Sequence, residues 1–99
     1  MIYKVIITPK ANFEINQSID WYNEQKAGLG KRFYSKLKTT VKYIRKNPLL
    51  FEKKYKIFRC ATVDVFPFIV VYFIDNNYTI VISAVFHTSR NSESAFDND

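Results

Sequence analysis

The chain has 99 residues, 47% of them hydrophobic and 17% aromatic, with two Gly, three Pro and a formal charge of +6. That is one small globular domain, and the composition excludes a disordered or collagen-like chain. The single Cys60 excludes an internal disulfide and fits a reducing, cytoplasmic setting. No stretch has the length or flanks of a signal peptide or membrane span, so no membrane partner is expected.

In chain order, Ile2 to Thr8 (IYKVIIT) is β-prone and reads as a first strand. Thr8-Pro9 supplies an N-cap residue followed by proline at the first helical position. Ala11, Ile15, Ser18, Ile19 and Tyr22 then recur at three- and four-residue steps, predicting an amphipathic helix to about Gln25. Phe13 and Trp21 fall off that stripe and are left to pack on a neighbouring element. Gly28 is the natural stop.

A second helix is expected from Leu29 to Lys46. Leu29, Phe33, Leu37, Thr40, Val41 and Ile44 form its buried stripe, with Lys31, Lys38, Lys42 and Arg45 on a separate outer one. Asn47-Pro48 ends it. So short a connection makes the two helices an antiparallel hairpin. Ten of the fifteen basic residues lie between Lys31 and Lys56, with Glu52 the one acid among them. This basic surface is either ordinary solvation or an attraction for an acidic partner, nucleic acid or protein.

Lys53 to Ala61 alternates enough to be a strand. Val65 to Arg90 (VFPFIVVYFIDNNYTIVISAVFHTSR) then reads as a hairpin turning at Asn76-Asn77. A two-residue loop pairs Phe73 with Ile80, Val71 with Ile82 and Ile69 with Ala84. One face would then carry Ile69, Val71, Phe73, Ile80 and Ile82, and the other Phe68, Val70, Tyr72 and Ile74. Both are apolar. The expected fold is α+β, in the order β-α-α-β-β-β, with the helical hairpin on one face of a four-stranded, mainly antiparallel sheet. One hairpin covers one face, so the other should be exposed or covered by a partner. Residues 1–91 are expected to form the domain and residues 92–99 a short acidic tail.

Thr8-Pro9-Lys10-Ala11, Gly28-Leu29-Gly30-Lys31-Arg32-Phe33, Asn47-Pro48, Arg59, the run Phe66-Pro67-Phe68-Ile69-Val70-Val71-Tyr72 and Val85 to Asn91 stand in an order that resembles the RelE/ParE superfamily of bacterial toxins from type II toxin–antitoxin systems. The resemblance implies a cognate antitoxin partner, for which Ile69, Val71, Phe73, Ile80 and Ile82 are the candidate contacts. It also implies one of three roles. A ParE-like toxin binds DNA gyrase, here through Lys53, Lys56, Arg59, His87 and Arg90. A RelE-like toxin cleaves mRNA on the ribosome, here with Arg59, His87, Arg90 and Lys54. A detoxified relative serves as antitoxin partner and co-repressor only. Ile69 stands where the family commonly has arginine, and the tail after Arg90 is acidic. Both departures weigh against RNA cleavage and favour the ParE-like branch. One histidine, one cysteine and no carboxylate cluster give no metal site, and no cofactor is expected.

Overall fold

A computed structural model describes residues 3–75 and 78–89. Seven elements follow in the order β1 (Lys4–Ile7), α1 (Pro9–Gln25), α2 (Leu29–Lys46), β2 (Lys53–Tyr55), β3 (Phe58–Thr62), β4 (Phe68–Asp75) and β5 (Thr79–His87). The α+β class and the helical hairpin are as the sequence predicts. The sheet has five strands rather than four, in the order β1-β5-β4-β3-β2. The expected strand over Lys53 to Ala61 is broken at Lys56, whose left-handed backbone (φ 50°) turns β2 back onto β3. β1 joins the sheet edge parallel to β5, and every other pairing is antiparallel.

Thr8 links the first strand to the first helix. Its backbone N–H donates to the Ile82 carbonyl at 3.0 Å, which extends the β1–β5 pairing by one bond. Its Oγ1 accepts from the Ala11 N–H at 3.2 Å and so caps α1. Where β1 ends, Glu14 takes over along the same edge. Its Oε1 accepts the Val85 N–H at 2.9 Å, so a helix side chain satisfies a strand donor that has left β1 behind.

Gly28 begins α2 with φ +87°, a left-handed conformation that glycine adopts without a Cβ penalty. Gly30 is needed for a different reason. A Cβ there would lie 2.5 Å from the Ile19 carbonyl oxygen and 2.7 Å from Asn23 Cγ, so the backbone of α2 meets both the backbone and a side chain of α1 at this point. Asn23 Oδ1 also accepts the Gly30 N–H at 2.9 Å, satisfying one of the free donors in the first turn of α2. Gly30→Ala is expected to cost about 1–3 kcal/mol by overpacking this crossing. Urea unfolding followed by circular dichroism checks it, and an unchanged midpoint would mean the helices separate at little cost.

The main core lies between the helical hairpin and one sheet face. Tyr22, Phe33, Phe66 and Phe68 form its aromatic centre, with ring centroids 4.7–6.0 Å apart, and Val70, Tyr72, Ile80, Ile82 and Val85 complete the sheet side. Ile80 and Ile82 therefore do not share a face with Ile69, Val71 and Phe73. The β4–β5 connection spans Asn76 to Tyr78, so Asp75 pairs with Thr79, Ile74 with Ile80 and Tyr72 with Ile82. Asn76 and Asn77 themselves lie outside the described residues. A shift of one residue moves a side chain to the opposite face, which is what happens to the two isoleucines. A bulge between Val71 and Tyr72 then lets Val71 pair with Ala84 and Ile69 with Phe86.

The far face is not left bare either. Phe58, Val71, Ala84 and Phe86 are buried there in a second, smaller cluster, with Cys60, Ile69 and Phe73 half-buried beside it. The expected open apolar face is thus largely closed by the chain's own aromatic side chains.

Candidate protein-binding groove

Of the residues proposed for chemistry, Arg59 has its guanidinium already engaged. Its Nη1 donates to the Phe51 carbonyl at 2.6 Å and to that of Leu49 at 3.4 Å. Its register partner Tyr72 donates from Oη to the Pro48 carbonyl at 2.6 Å. The two side chains together pin the α2–β2 connection over the end of the core. Burial pushes the Tyr72 hydroxyl up to about 12, against a smaller opposing pull from the Arg59 guanidinium and a further push from Cys60.

His87 lies elsewhere. It pairs with Phe68 at the other end of β4, four positions from Tyr72, so about 13 Å along the strand and two strand spacings across separate it from Arg59. Its Nδ1 accepts the Ser89 N–H at 3.1 Å and sits 2.8 Å from Ser89 Oγ. A neutral ring held this way carries its proton on Nε2. Lys54 is in an exposed ion pair with Glu52 at 3.6 Å, Lys53 is exposed, and Lys56 lies over the Tyr55 ring at 5.2 Å. Arg90 lies outside the described residues. Arg59, Lys54 and His87 thus do not converge, and no reacting phosphate can touch all three. Burial also raises the Cys60 thiol, with Lys54 opposing. Among the described residues no three His, Cys, Asp or Glu come together as a metal site would require, and no helix is long and apolar enough to cross a membrane.

A groove that sequence reasoning missed lies between β1 and α2. Ile15, Leu37, Ile82 and Val85 form its floor, and Val5, Ile7, Tyr34 and Val41 its walls. Lys38, Lys42 and Arg45 stand along one rim, and the space is about 300 Å³. It exists because β1 is only four residues long and sits at the sheet edge, leaving Ile6 and Ile7 more than two-fifths exposed. The rim cations are placed by their neighbours: Lys38 lies over the Tyr34 ring at 5.3 Å, and Arg45 Nε donates to the Tyr3 carbonyl at 2.9 Å. The basic stripe is visible in the sequence. That it borders an apolar trough is not, because the trough needs β1 and α2 side by side.

An apolar trough edged on one side by cations suits an amphipathic protein segment carrying acidic residues, since each half of the segment meets its complement. The family profile described as the ParE toxin of type II toxin–antitoxin systems, parDE, matches residues 5–92. The chain belongs to that family. Among solved structures, the one titled "Chromosomal ParDE TA system from P. aeruginosa" superposes with a TM-score of 0.77. It covers 87% of this chain and 96% of the other at 14% sequence identity, so the likeness is one of fold. No curated protein matches the chain. Within the ParE family frame, Ile69 is a half-buried side chain on the far face of β4, opposite Phe86 of β5, and lies in apolar rather than phosphate-binding surroundings.

Proposed function

We propose that this chain is the toxin of a type II toxin–antitoxin pair, that it acts in the cytoplasm by binding a macromolecular target, and that its antitoxin seats in the β1–α2 groove. Family membership supports the toxin role. The groove is the observation that carries the antitoxin reading: an apolar floor and a cationic rim on one trough. DNA gyrase is the target that the resemblance to ParE toxins implies. The exposed lysines Lys53 and Lys56, with His87 and Arg90, are the target contacts in this reading, while Arg59 serves to hold the 48–51 turn. Residues 1–91 make up the toxin domain, with 92–99 as its tail. Of the apolar strand residues first considered for the antitoxin, Ile69 and Phe73 keep accessible surface. A segment that wraps beyond the groove would reach those two, whereas Val71 and Ile80 are buried within the chain and Ile82 meets the antitoxin only as part of the groove floor.

The separation of Arg59 from His87, and the backbone carbonyls that occupy Arg59, support binding rather than RNA cleavage in this reading. Induction in cells is expected to arrest growth with mRNA intact, and the purified chain to inhibit gyrase supercoiling. Codon-phased cuts on translating ribosomes that vanish in His87→Ala would overturn this in favour of a ribosome-dependent RNase. Inactivity in both assays, with binding to the antitoxin retained, would leave a detoxified co-repressor.

The groove has its own test, with the product of the neighbouring short reading frame as the partner. Val41→Asp places a carboxylate on the trough wall at a half-exposed position, and is expected to weaken the complex by about 2 kcal/mol or more. Lys38→Ala removes a rim charge and should cost about 1 kcal/mol or less, mostly in association rate. Calorimetry in which Val41→Asp binds as tightly as the parent chain would exclude the groove.

A further inference from the structure

The two edges of the sheet are finished differently. β2 closes one with three residues, of which Lys53 and Lys54 are exposed lysines. A short edge bearing lysines resists pairing with a further strand. β1 closes the other, and there Ile6 and Ile7 are exposed with only Lys4 beside them. The hydrogen bonds fix which way each peptide group of β1 points. Thr8 N–H donates to the Ile82 carbonyl, and peptide groups alternate sides along a strand, so Lys4 and Ile6 also bond toward β5. The N–H and C=O groups of Val5 and Ile7 then point the other way, out from the sheet, as does the Tyr3 carbonyl. Arg45 Nε donates to that carbonyl at 2.9 Å, which agrees with this phase. Among the described residues no strand pairs with Val5 and Ile7 on the outward side. Their side chains line the β1–α2 groove. The same edge thus offers two backbone donors, two backbone acceptors and the apolar wall of the trough.

We infer that the segment seated in the groove is extended, and that it joins the sheet as a sixth strand hydrogen-bonded to Val5 and Ile7. This rests on the antitoxin reading of the groove and adds the conformation of its occupant. A helix satisfies its own backbone and would leave the donors and acceptors of this edge to water. A strand takes them up, and its alternation sends every second side chain over the trough toward Val41 and Tyr34. Acidic side chains in that series meet Lys38, Lys42 and Arg45 on the rim. Pairing ends at Tyr3, whose carbonyl Arg45 already holds, and this sets where along β1 the added strand lies. A second copy of the chain is the less suitable occupant. Joining β1 to β1 would bring Lys4, Lys38, Lys42 and Arg45 of each copy toward the same cations of the other.

Amide hydrogen exchange read by NMR, on the full chain alone and with the product of the neighbouring short reading frame, tests the pairing. The Ile6 amide should exchange slowly in both samples, since it bonds toward β5. The Val5 and Ile7 amides should exchange freely in the chain alone and slow at least about tenfold in the complex. A pair of variants separates backbone from side chain. Val5→Pro removes an outward N–H that the β5 ladder does not use, and an edge strand tolerates proline there. Val5→Ala keeps the N–H and trims the wall. Both should leave the circular dichroism of the chain unchanged, and Val5→Pro should raise the dissociation constant about tenfold more than Val5→Ala does. If the two variants bind alike and the Val5 and Ile7 amides stay unprotected, while Val41→Asp still weakens the complex, the groove stands and its occupant is not a strand. A harmless Val41→Asp removes the groove reading, and this inference falls with it. Protection of Val5 and Ile7 that grows with concentration in the chain alone assigns the edge to a second copy and overturns the inference as well.

Discussion

Ile82→Glu should unfold the domain rather than merely weaken a complex. Ile82 is 1% exposed, on the sheet side of the core beneath the helical hairpin, and pairs with Tyr72 across β4–β5. Removing its buried methyl groups alone is worth about 2–5 kcal/mol in comparable cores. A carboxylate with no partner adds a desolvation penalty of a few kcal/mol more, reduced only in part by taking up a proton. The sum approaches the roughly 5–15 kcal/mol of total stability of a small domain. Phe73→Glu is the contrasting substitution. Phe73 is half-buried on the far face, with its ring edge-on to Phe58 at 5.6 Å, so the new carboxylate has a route to water. Its expected cost is about 1–2 kcal/mol. Thermal melts of the two variants separate the faces directly. Equal destabilisation would mean that the β4–β5 register differs from the one described.

The two isoleucines also show where sequence reasoning reaches its limit. The helix boundaries follow from signals local in the chain: Thr8-Pro9 at one end, Gly28 between the helices, Asn47-Pro48 at the other. The β4 alternation is equally local, and Phe68, Val70 and Tyr72 do face the helices while Ile69, Val71 and Phe73 face away. The assignment of β5 depends on one integer, the length of a loop. Nothing in Asp75-Asn76-Asn77-Tyr78 distinguishes a two-residue turn from a three-residue one, since Asn tolerates left-handed backbone and Tyr78 adopts it here at φ 61°. With both faces apolar, the hydrophobic pattern has no power to reject the wrong register.

The site is less legible for a related reason. Arg59 is visible as the last of four cations on the expected Lys53 to Ala61 strand, but its partners are the carbonyls of Leu49 and Phe51, which no side-chain pattern announces. The strand break at Lys56 is hidden because a lysine, not a glycine, takes the positive φ. The β1–α2 groove joins residues at opposite ends of the chain, from Val5 to Val85, and only the parallel β1–β5 pairing brings them together. Phe13 and Trp21 are the converse case. Helical periodicity alone marks them as misfits on α1, and the folded chain leaves both exposed.

Tyr72 should give this domain a distinctive loss of stability in alkali. The phenol is fully buried, donates to the Pro48 carbonyl and has its ionisation pushed up to about 12 from an ordinary value near 10. The folded state therefore holds that proton more firmly than the unfolded chain does. Below about pH 10 both states are protonated and the contribution is complete. As pH rises from about 10 to 12 only the unfolded chain releases the proton, so stability falls, and above the folded value the loss is full. The loss amounts to about 1.4 kcal/mol at pH 11 and roughly 2–3 kcal/mol at its limit. Tyr72→Phe isolates it from the titration of the lysines, which both proteins share. At pH 7 the phenylalanine variant should be less stable by about 1–2 kcal/mol, since the Pro48 carbonyl loses its donor. By pH 11 that difference should shrink to near zero. Urea unfolding by circular dichroism at pH 7, 9 and 11 measures the gap, and a gap constant across the three would show that Tyr72 ionises as freely in the folded chain as in the unfolded one.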